Sequence, residues 1–359
     1  MGIETGLLST IGKTPLVLLK KLYPCLPSTF YAKLEMFNPG GSSKDRTAWL
    51  IVSKAFEEGK LTQNSTIFES SSGNMAIGLA QVCHYLGLSL IVVTDPKINR
   101  RILDLLRVYG VQIERFTKAD ASGNYLKSKL KRVRQLLDTI SDSFWPNQYS
   151  NDLNPAAHYE TMKEFIKKCQ ETPDYILAAT STCWTIMGCA KYLREHNLET
   201  KVVAVDAVGS VIFGSSKGRR LIPGHGAGRK SELLDETCID HVIHISDKEC
   251  VIGCRRLLQR EAILAGGSAG AVVMAAEKLQ SVIPEGSSCV MIFSDSGERY
   301  LETIYNDEWV QSHFSKIDEL ILKEPESIKE PQLTPVMVND YELNLDHSIG
   351  KNGSVQDNS

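Results

Sequence analysis

Short apolar runs alternate with amphipathic stretches along most of the chain. The runs are rich in aliphatic residues and bounded by polar turns, as buried strands are. They are Thr66–Glu69, Ser89–Thr94, Gln112–Phe116, Tyr175–Ala179, Lys201–Ala207 and Cys289–Phe293. Apolar residues recur at helical spacing in Ala76–Tyr85, Arg100–Tyr109, Gly188–His196 and Ala269–Leu279. Strands separated by helices of this length predict an α/β fold with parallel sheets and right-handed crossovers.

The last segment, Lys323–Ser359, departs from this pattern. It is rich in Glu, Pro, Asn, Asp and Ser and shows little periodicity. We expect a polar, disordered tail, because so few apolar residues cannot offset the entropy cost of ordering the segment.

Composition narrows the class of protein. The chain has 359 residues, 42% of them hydrophobic, and a formal net charge of -3. One large or two medium domains are therefore expected, and neither nucleic acid nor an anionic membrane is indicated as a partner. The basic run Lys127–Arg134 interleaves with apolar residues at helical spacing, which predicts a solvated helix face.

The N-terminus lacks a basic segment followed by an apolar one, and no apolar stretch approaches the roughly 20 residues that span a bilayer. The nine cysteines are scattered, without CxxC or zinc spacing. These features predict a cytoplasmic protein with free, mostly buried thiols and no metal site.

A glycine-rich segment, Asn38–Arg46, reads NPGGSSKDR and follows the strand-like run Phe30–Glu35. Ser42 or Ser43 could cap a helix that places Lys44 in its first turn. The helix dipole disfavours a cation there, which suits a lysine that must lose its proton to form a Schiff base. The alternative is a surface lysine followed by an Asp–Arg pair, and this segment alone favours that alternative.

Three further loops join a predicted strand to a predicted helix. Glu69–Met75 offers hydroxyls and helix amides to a carboxylate, or is a plain turn with a serine cap. Ala178–Gly188 could hold a phosphate through hydroxyls and backbone N–H groups. Ala265–Ala271 allows close backbone approach, or is only a glycine turn.

In this order, the four segments resemble those of the fold type II pyridoxal 5'-phosphate (PLP) enzymes, the cysteine synthase and cystathionine β-synthase group. The resemblance runs from about Leu8 to about Val310. It implies a tryptophan synthase β-like α/β fold with two parallel-sheet domains and PLP in the cleft between them. A large domain would comprise residues 1–45 and 147–320. A small domain would comprise residues 46–146, with a mobile subdomain at about 88–134, and the protein would form a homodimer.

The resemblance also assigns roles to single residues. Lys44 would bind PLP as a Schiff base and then act as the general base at the substrate Cα. Asn74, in a motif like (T/S)SGN, would donate to the PLP phenolic oxygen, and Ser268 would face the pyridine nitrogen. The loop implied to bind the cofactor phosphate comprises Ser181, Thr182, Cys183, Trp184 and Thr185. The residues implied to bind the substrate are Ser71, Ser72, Gly73, Met75 and Gln148. A phosphate leaving group would also need cations, and Arg229 and Lys230, just after the loop that begins at the predicted substrate contact Gly224, are candidates, as are Arg219 and Arg220. The alternative for each of these cations is a solvated loop position.

This chain departs from the group's pattern in two of these loops. Cysteine synthases usually have glycines where Cys183 and Trp184 stand, and a threonine where Met75 stands.

Four segments carry a closer resemblance, of which GSVIFG is the most specific. They are Ala204–Ala207, Gly209–Gly214, Pro223–Ala227 and Ala265–Gly270. They resemble enzymes that join O-phospho-L-serine to L-glutamate, with loss of phosphate, on the way to 2,3-diaminopropionate in siderophores and peptide antibiotics. The resemblance implies a PLP-dependent transferase that acts by β-replacement.

Other functions stay open at this point. A cysteine synthase would use O-acetylserine or O-phosphoserine with sulfide, and a serine or threonine deaminase would release a keto acid. A PLP-binding scaffold protein without turnover is disfavoured by the intact Lys44, Asn74 and Ser268. A Rossmann dehydrogenase is disfavoured because no GxGxxG follows a first strand.

Overall fold

Two β-sheets organise the computed structural model of the chain, which describes residues 5–117, 125–169, 171–232 and 234–322. The strands are β1 (Leu16–Leu18), β2 (Thr29–Leu34), β3 (Thr66–Ser70), β4 (Ser89–Thr94), β5 (Gln112–Arg115), β6 (Ser143–Phe144), β7 (Tyr175–Ala179), β8 (Lys201–Ala207), β9 (His241–Ile245) and β10 (Ser288–Phe293). The first sheet has the order β1-β2-β10-β7-β8-β9, and the second has the order β5-β4-β3-β6. The predicted tail, Lys323–Ser359, lies outside the described residues.

Helices connect the strands and cover the sheets. They are α1 (Lys44–Glu57), α2 (Asn74–Leu86), α3 (Arg100–Val108), α4 (Leu126–Thr139), α5 (Leu153–Cys169), α6 (Trp184–Glu195), α7 (Asp247–Glu261), α8 (Gly267–Leu279), α9 (Asp307–His313) and α10 (Ile317–Leu322). Every strand pairing is parallel except that of β1 with β2. The predicted parallel α/β fold is therefore confirmed. Within the described ranges, each helix is too short or too polar to cross a lipid bilayer.

The strands are apolar on both sides because helices pack against both faces of each sheet. In the first sheet, α7 and α8 share one hydrophobic core with β10, and α5 and α6 share another with β7 and β8. In the second sheet, α1 and α2 pack on one face and α4 on the other. Each fully buried Leu, Ile or Phe stabilises this arrangement by roughly 1.5–3 kcal/mol.

The path of the chain agrees with a division into two domains. The first sheet takes its strands from residues 16–34 and 175–293, and the second from residues 66–144. In open parallel sheets, ligands bind beyond the carboxyl ends of the strands. The loops that follow β3, β7 and β10 are therefore the expected location of a site. The predicted domain limits and the mobile subdomain stay predictions.

All nine cysteines lie in the described residues and are free thiols, six of them buried. The prediction of free, mostly buried cysteines is therefore confirmed.

Candidate active site

Lys44 is the first residue of α1, as the sequence predicted. Ser43 precedes it as the N-cap residue but makes no side-chain cap, and its N–H donates to the carbonyl of Ser294 at 2.8 Å. Among the described residues, the Lys44 amine has no hydrogen-bond or ion-pair partner. Burial lowers the pKa of Lys44 to about 8, so a larger fraction of the amine is neutral near pH 7 than in an exposed lysine. A desolvated amine of this kind is suited to a Schiff base.

A buried ionic cluster fixes the first turn of α1. Arg46 Nε lies 2.6 Å from Glu35 Oε2 at the end of β2, and its Nη1 lies 2.7 Å from Glu164 Oε1 on α5. Lys33 Nζ lies 2.6 Å from Glu164 Oε2. Burial alone would raise the pKa of Glu164, but Arg46 and Lys33 outweigh it and lower the pKa to about 2. The cluster ties β2, α1 and α5 together directly beside Lys44.

The loop after β3 leads into α2, whose first N–H groups have no partner within the helix. Asn74 begins the helix, and its Nδ2 donates to Asp295 Oδ2 at 2.9 Å. Ser71 Oγ accepts from the N–H of Gly73 at 3.3 Å. The Met75 side chain belongs to the hydrophobic core, so only its backbone N–H is available to a ligand. The loop keeps the geometry of an anion site although one hydroxyl of the group's pattern is absent.

Ser72 has a hydroxyl that is already engaged within the protein. It lies 2.8 Å from Thr94 Oγ1, 2.9 Å from Asp95 Oδ2 and 3.3 Å from Lys129 Nζ. Lys129 and Asp95 form an ion pair of 2.6 Å. The ion pair between Lys129 and Asp95 therefore fixes the position of the Ser72 hydroxyl.

The prediction of a solvated face for the run Lys127–Arg134 is wrong for Lys129. Its residue exposure is 7%. Lys129 lies three positions after Leu126 and four before Val133, which places it on the apolar side of α4. The spacing of the apolar residues therefore indicated that Lys129 is buried, but the surrounding positive charges favoured the prediction of a solvated face.

Gln148 connects the loop after β3 with the loop after β7. Its side-chain amide donates to the Ser70 carbonyl at 3.3 Å, and its own carbonyl accepts from Trp184 Nε1 at 2.8 Å. Its N–H lies 3.4 Å from Glu69 Oε2. Burial raises the pKa of Glu69 to about 7, against the opposing effect of the Ser70 and Gln148 amides. The contact of Gln148 with a substrate carboxylate stays a prediction.

The loop after β7 presents backbone rather than side chains at its end. Cys183 adopts φ +67°, the left-handed conformation that favours glycine, and both Cys183 and Trp184 are buried. Their contribution to a ligand would come from their N–H groups at the start of α6. Ser181 Oγ donates to the Gly226 carbonyl at 3.2 Å, and Thr185 Oγ1 lies 3.3 Å from His158 Nε2. Cys183 thus adopts a backbone conformation that glycine takes readily, at a position where the group usually has a glycine.

His158, the hydrogen-bond partner of Thr185, is buried and lies within the electrostatic influence of Lys44. Its pKa is lowered well below the usual value by burial and, next, by the charge of Lys44. The predicted phosphate loop and Lys44 are therefore linked electrostatically through His158.

The end of β10 brings the remaining groups together. The Gly266 N–H donates to the Asp295 carbonyl at 3.0 Å, and Gly266 is the N-cap of α8, which carries the buried Ser268. Lys44, Asn74 and Ser268 thus converge on Ser294 and Asp295, although they are far apart in sequence.

Gly224 lies next to Tyr300, whose hydroxyl donates to Asp295. It adopts φ +78°, and its nearest neighbour would be the Tyr300 hydroxyl, 3.8 Å from a Cβ atom at that position. Gly224 does not line the cavity described next, so its predicted substrate contact stays a prediction.

A cavity of about 540 Å³ opens between the two sheets, next to Ser181 and Thr182. Six cationic side chains line it, against a single carboxylate, Asp95, among the described residues. The cations are Lys97, Lys129, Lys217, Arg220, Arg229 and Lys230. Arg229 lies 4.8 Å from the ring centre of Tyr149, in cation–π geometry. The cavity is strongly suited to anionic ligands.

These groups fit PLP. Its aldehyde requires a desolvated amine, which Lys44 supplies, and its phosphate requires amides and hydroxyls, which the 181–185 loop supplies. Asn74 and Ser268 would supply the N–H and the hydroxyl that the resemblance predicts for a ring oxygen and the ring nitrogen. One oxygen of the buried Asp295, Oδ1, has no partner among the described residues, as expected of a protein whose site holds a further polar group.

Fold and site together define a fold type II PLP-dependent enzyme. The chain belongs to the family of pyridoxal-phosphate dependent enzymes, whose model matches residues 7–295.

Known relatives agree with this assignment. An N-(2-amino-2-carboxyethyl)-L-glutamate synthase of Ralstonia nicotianae is 45% identical over 309 residues, covering 86% of this chain and 91% of the relative. The O-acetylserine dependent cystathionine β-synthase of Helicobacter pylori has 34% identity and a TM-score of 0.77, covering 85% of this chain and 100% of that structure. A hydrogen sulfide-producing enzyme of Fusobacterium nucleatum has 30% identity and a TM-score of 0.78, covering 83% and 100%.

Proposed function

We propose that this chain catalyses β-replacement on O-phospho-L-serine with L-glutamate, which gives N-(2-amino-2-carboxyethyl)-L-glutamate and phosphate. The product is a precursor of 2,3-diaminopropionate for a siderophore or peptide antibiotic. The name of the Ralstonia nicotianae relative supports this reaction. The main observation that supports it is that six cationic side chains and a single carboxylate line the cavity among the described residues.

The charge of the cavity matches the proposed substrates. O-phosphoserine brings a phosphate and a carboxylate, and glutamate brings two carboxylates. Charge-assisted hydrogen bonds from Lys and Arg are the strongest way for a protein to bind such groups. Sulfide, the nucleophile of a cysteine synthase, would need no such contacts. Lys97, Lys217 and Arg229 are the exposed cations of the cavity without a carboxylate partner among the described residues, since Lys129 and Lys230 are paired with Asp95 and Glu236.

The protein's own residues would position the reacting atoms. PLP, when bound, withdraws electrons from the substrate Cα and makes its proton acidic. The neutral Lys44 amine takes this proton and later returns it to the product. The N–H groups at the start of α2 and the amide of Gln148 hold the substrate carboxylate, which orients the Cα–H bond toward Lys44. The cations of the cavity hold the leaving phosphate.

Cysteine synthesis is the second candidate. The Helicobacter pylori structure is that of an enzyme named for O-acetylserine, which supports this activated serine as an alternative to O-phosphoserine. We also infer a homodimer in the cytoplasm from the resemblance of the sequence to the group.

Replacing Arg229 by methionine tests the proposed anion site. We expect the KM for O-phosphoserine or for glutamate to rise about tenfold, the size of one lost charge-assisted hydrogen bond. Steady-state phosphate release, measured against each substrate in turn, gives both KM values. Arg219→Met is the matched control, because Arg219 is exposed nearby but does not line the cavity. Unchanged KM values for both substrates in Arg229→Met and in Lys217→Met would argue against this anion site.

A further inference from the structure

Asp295 is a buried carboxylate two residues after the end of β10, and no role was predicted for it. Its exposure is 2%. Its Oδ2 accepts from Asn74 Nδ2 at 2.9 Å and from the Tyr300 hydroxyl at 2.7 Å. The contact with Asn74 joins residues 221 positions apart in sequence and links the two sheets.

The surroundings of Asp295 leave its side chain little freedom. A Cβ atom at Gly266 would collide with Oδ1, so the carboxylate lies directly against the start of α8. Arg299 Nη1 is 4.0 Å from Oδ2, and this guanidinium also donates to the carbonyl of Gly41 at 3.0 Å. Three segments therefore surround the carboxylate, and they carry the candidate cofactor residues Lys44, Asn74 and Ser268.

We propose that Asp295 is a positioning residue that sets the orientation of the Asn74 amide toward the cofactor. A carboxylate accepts hydrogen bonds and repels a carbonyl oxygen, so it selects the orientation in which the Asn74 nitrogen faces Asp295. The amide nitrogen has two N–H groups, and one is used on Asp295. The other remains a donor for an anionic oxygen on the ligand.

The charge of Asp295 also strengthens that donor. An amide that donates to a carboxylate belongs to a short hydrogen-bonded chain in a low-dielectric environment, where neighbouring bonds polarise one another. An asparagine at position 295 can donate to the Asn74 carbonyl oxygen. The Asn74 amide can then flip, so that its carbonyl oxygen rather than its nitrogen lies next to the ligand. The ligand oxygen would then lose its donor. This inference rests on the proposed role of Asn74 as a ligand of the cofactor.

A double-mutant cycle on PLP binding tests the inference. The proteins are the wild type, Asp295→Asn, Asn74→Ala and the double variant, each stripped of cofactor and titrated with PLP alone. We expect Asp295→Asn to weaken PLP binding about tenfold or more, the size of a lost hydrogen bond to a charged group. The long-wavelength absorbance of the bound cofactor should fall as its ring oxygen loses a donor. In the Asn74→Ala background, the same substitution should change the affinity little.

Two outcomes would overturn the inference. In the first, Asn74→Ala weakens PLP binding and shifts the spectrum but Asp295→Asn does neither, so Asp295 does not act on the amide. In the second, neither variant changes the affinity or the spectrum, and the proposed role of Asn74 fails as well. Asp295→Ser is a second variant that keeps a small polar side chain, and the thermal unfolding of the cofactor-free proteins shows whether each variant folds. Because no substrate is present, the result is independent of the proposed reaction.

Discussion

Replacing Lys44 by alanine is expected to abolish covalent attachment of PLP and to lower turnover at least about a thousandfold, because one amine serves as both attachment point and base. The fold should persist. The side chain makes no hydrogen bond or ion pair to another described residue, so its removal leaves no buried partner uncompensated. Borohydride reduction followed by mass analysis of the peptides should label Lys44 in the wild type and nothing in the variant.

Lys54→Ala is the matched control for this experiment. Lys54 lies on the same helix, but its side chain is 43% exposed and pairs with Glu57 at the surface. Wild-type attachment and turnover are expected for it. Full turnover by Lys44→Ala with PLP bound would show that another residue moves the proton.

Replacing Arg46 by methionine is expected to lower the free energy of unfolding by about 3–5 kcal/mol, the range for breaking one side of a buried ion pair. The substitution leaves Glu35, which is fully buried, with Lys33 at 3.8 Å as its remaining cation. Glu164 loses its hydrogen bonds from Arg46. Urea denaturation followed by circular dichroism measures the change.

Arg107→Met is the comparison for Arg46. Arg107 pairs with Asp104 on the surface of α3, and its side chain is 61% exposed. Exposed pairs of this kind contribute little, so the unfolding midpoint should hardly move. An equally small effect of Arg46→Met would mean that the cluster does not hold α1 in place.

The hydrophobic pattern was sufficient to predict the central elements of the fold. Ser89–Thr94, Tyr175–Ala179 and Lys201–Ala207 were predicted with the ends that the structure shows. Helices cover both faces of these strands, so the limits of the apolar run coincide with the limits of the strand. The helix α6 starts four residues earlier than predicted, at Trp184 rather than Gly188, because the run Thr180–Thr185, rich in hydroxyl side chains, overlaps its start and reads as loop. The strand β9 was missed because two histidines interrupt its apolar residues.

The candidate site was predictable only through the resemblance to a family. The sequence alone favoured an ordinary surface lysine at Lys44, and local patterns cannot report that its amine is desolvated. Asp295 was missed because its contact with Asn74 depends on β10 ending beside the start of α2, a relation between distant segments. Lys129 was misassigned because a single buried cation lay within a run of exposed ones.

The identity of the nucleophile is the central claim, and a product assay tests it most directly. The holoenzyme receives O-phospho-L-serine together with equal concentrations of L-glutamate and sulfide, and the products are identified by mass. We predict N-(2-amino-2-carboxyethyl)-L-glutamate as the main product, with one phosphate released for each molecule formed. Efficient formation of cysteine or pyruvate without any glutamate adduct would contradict the account.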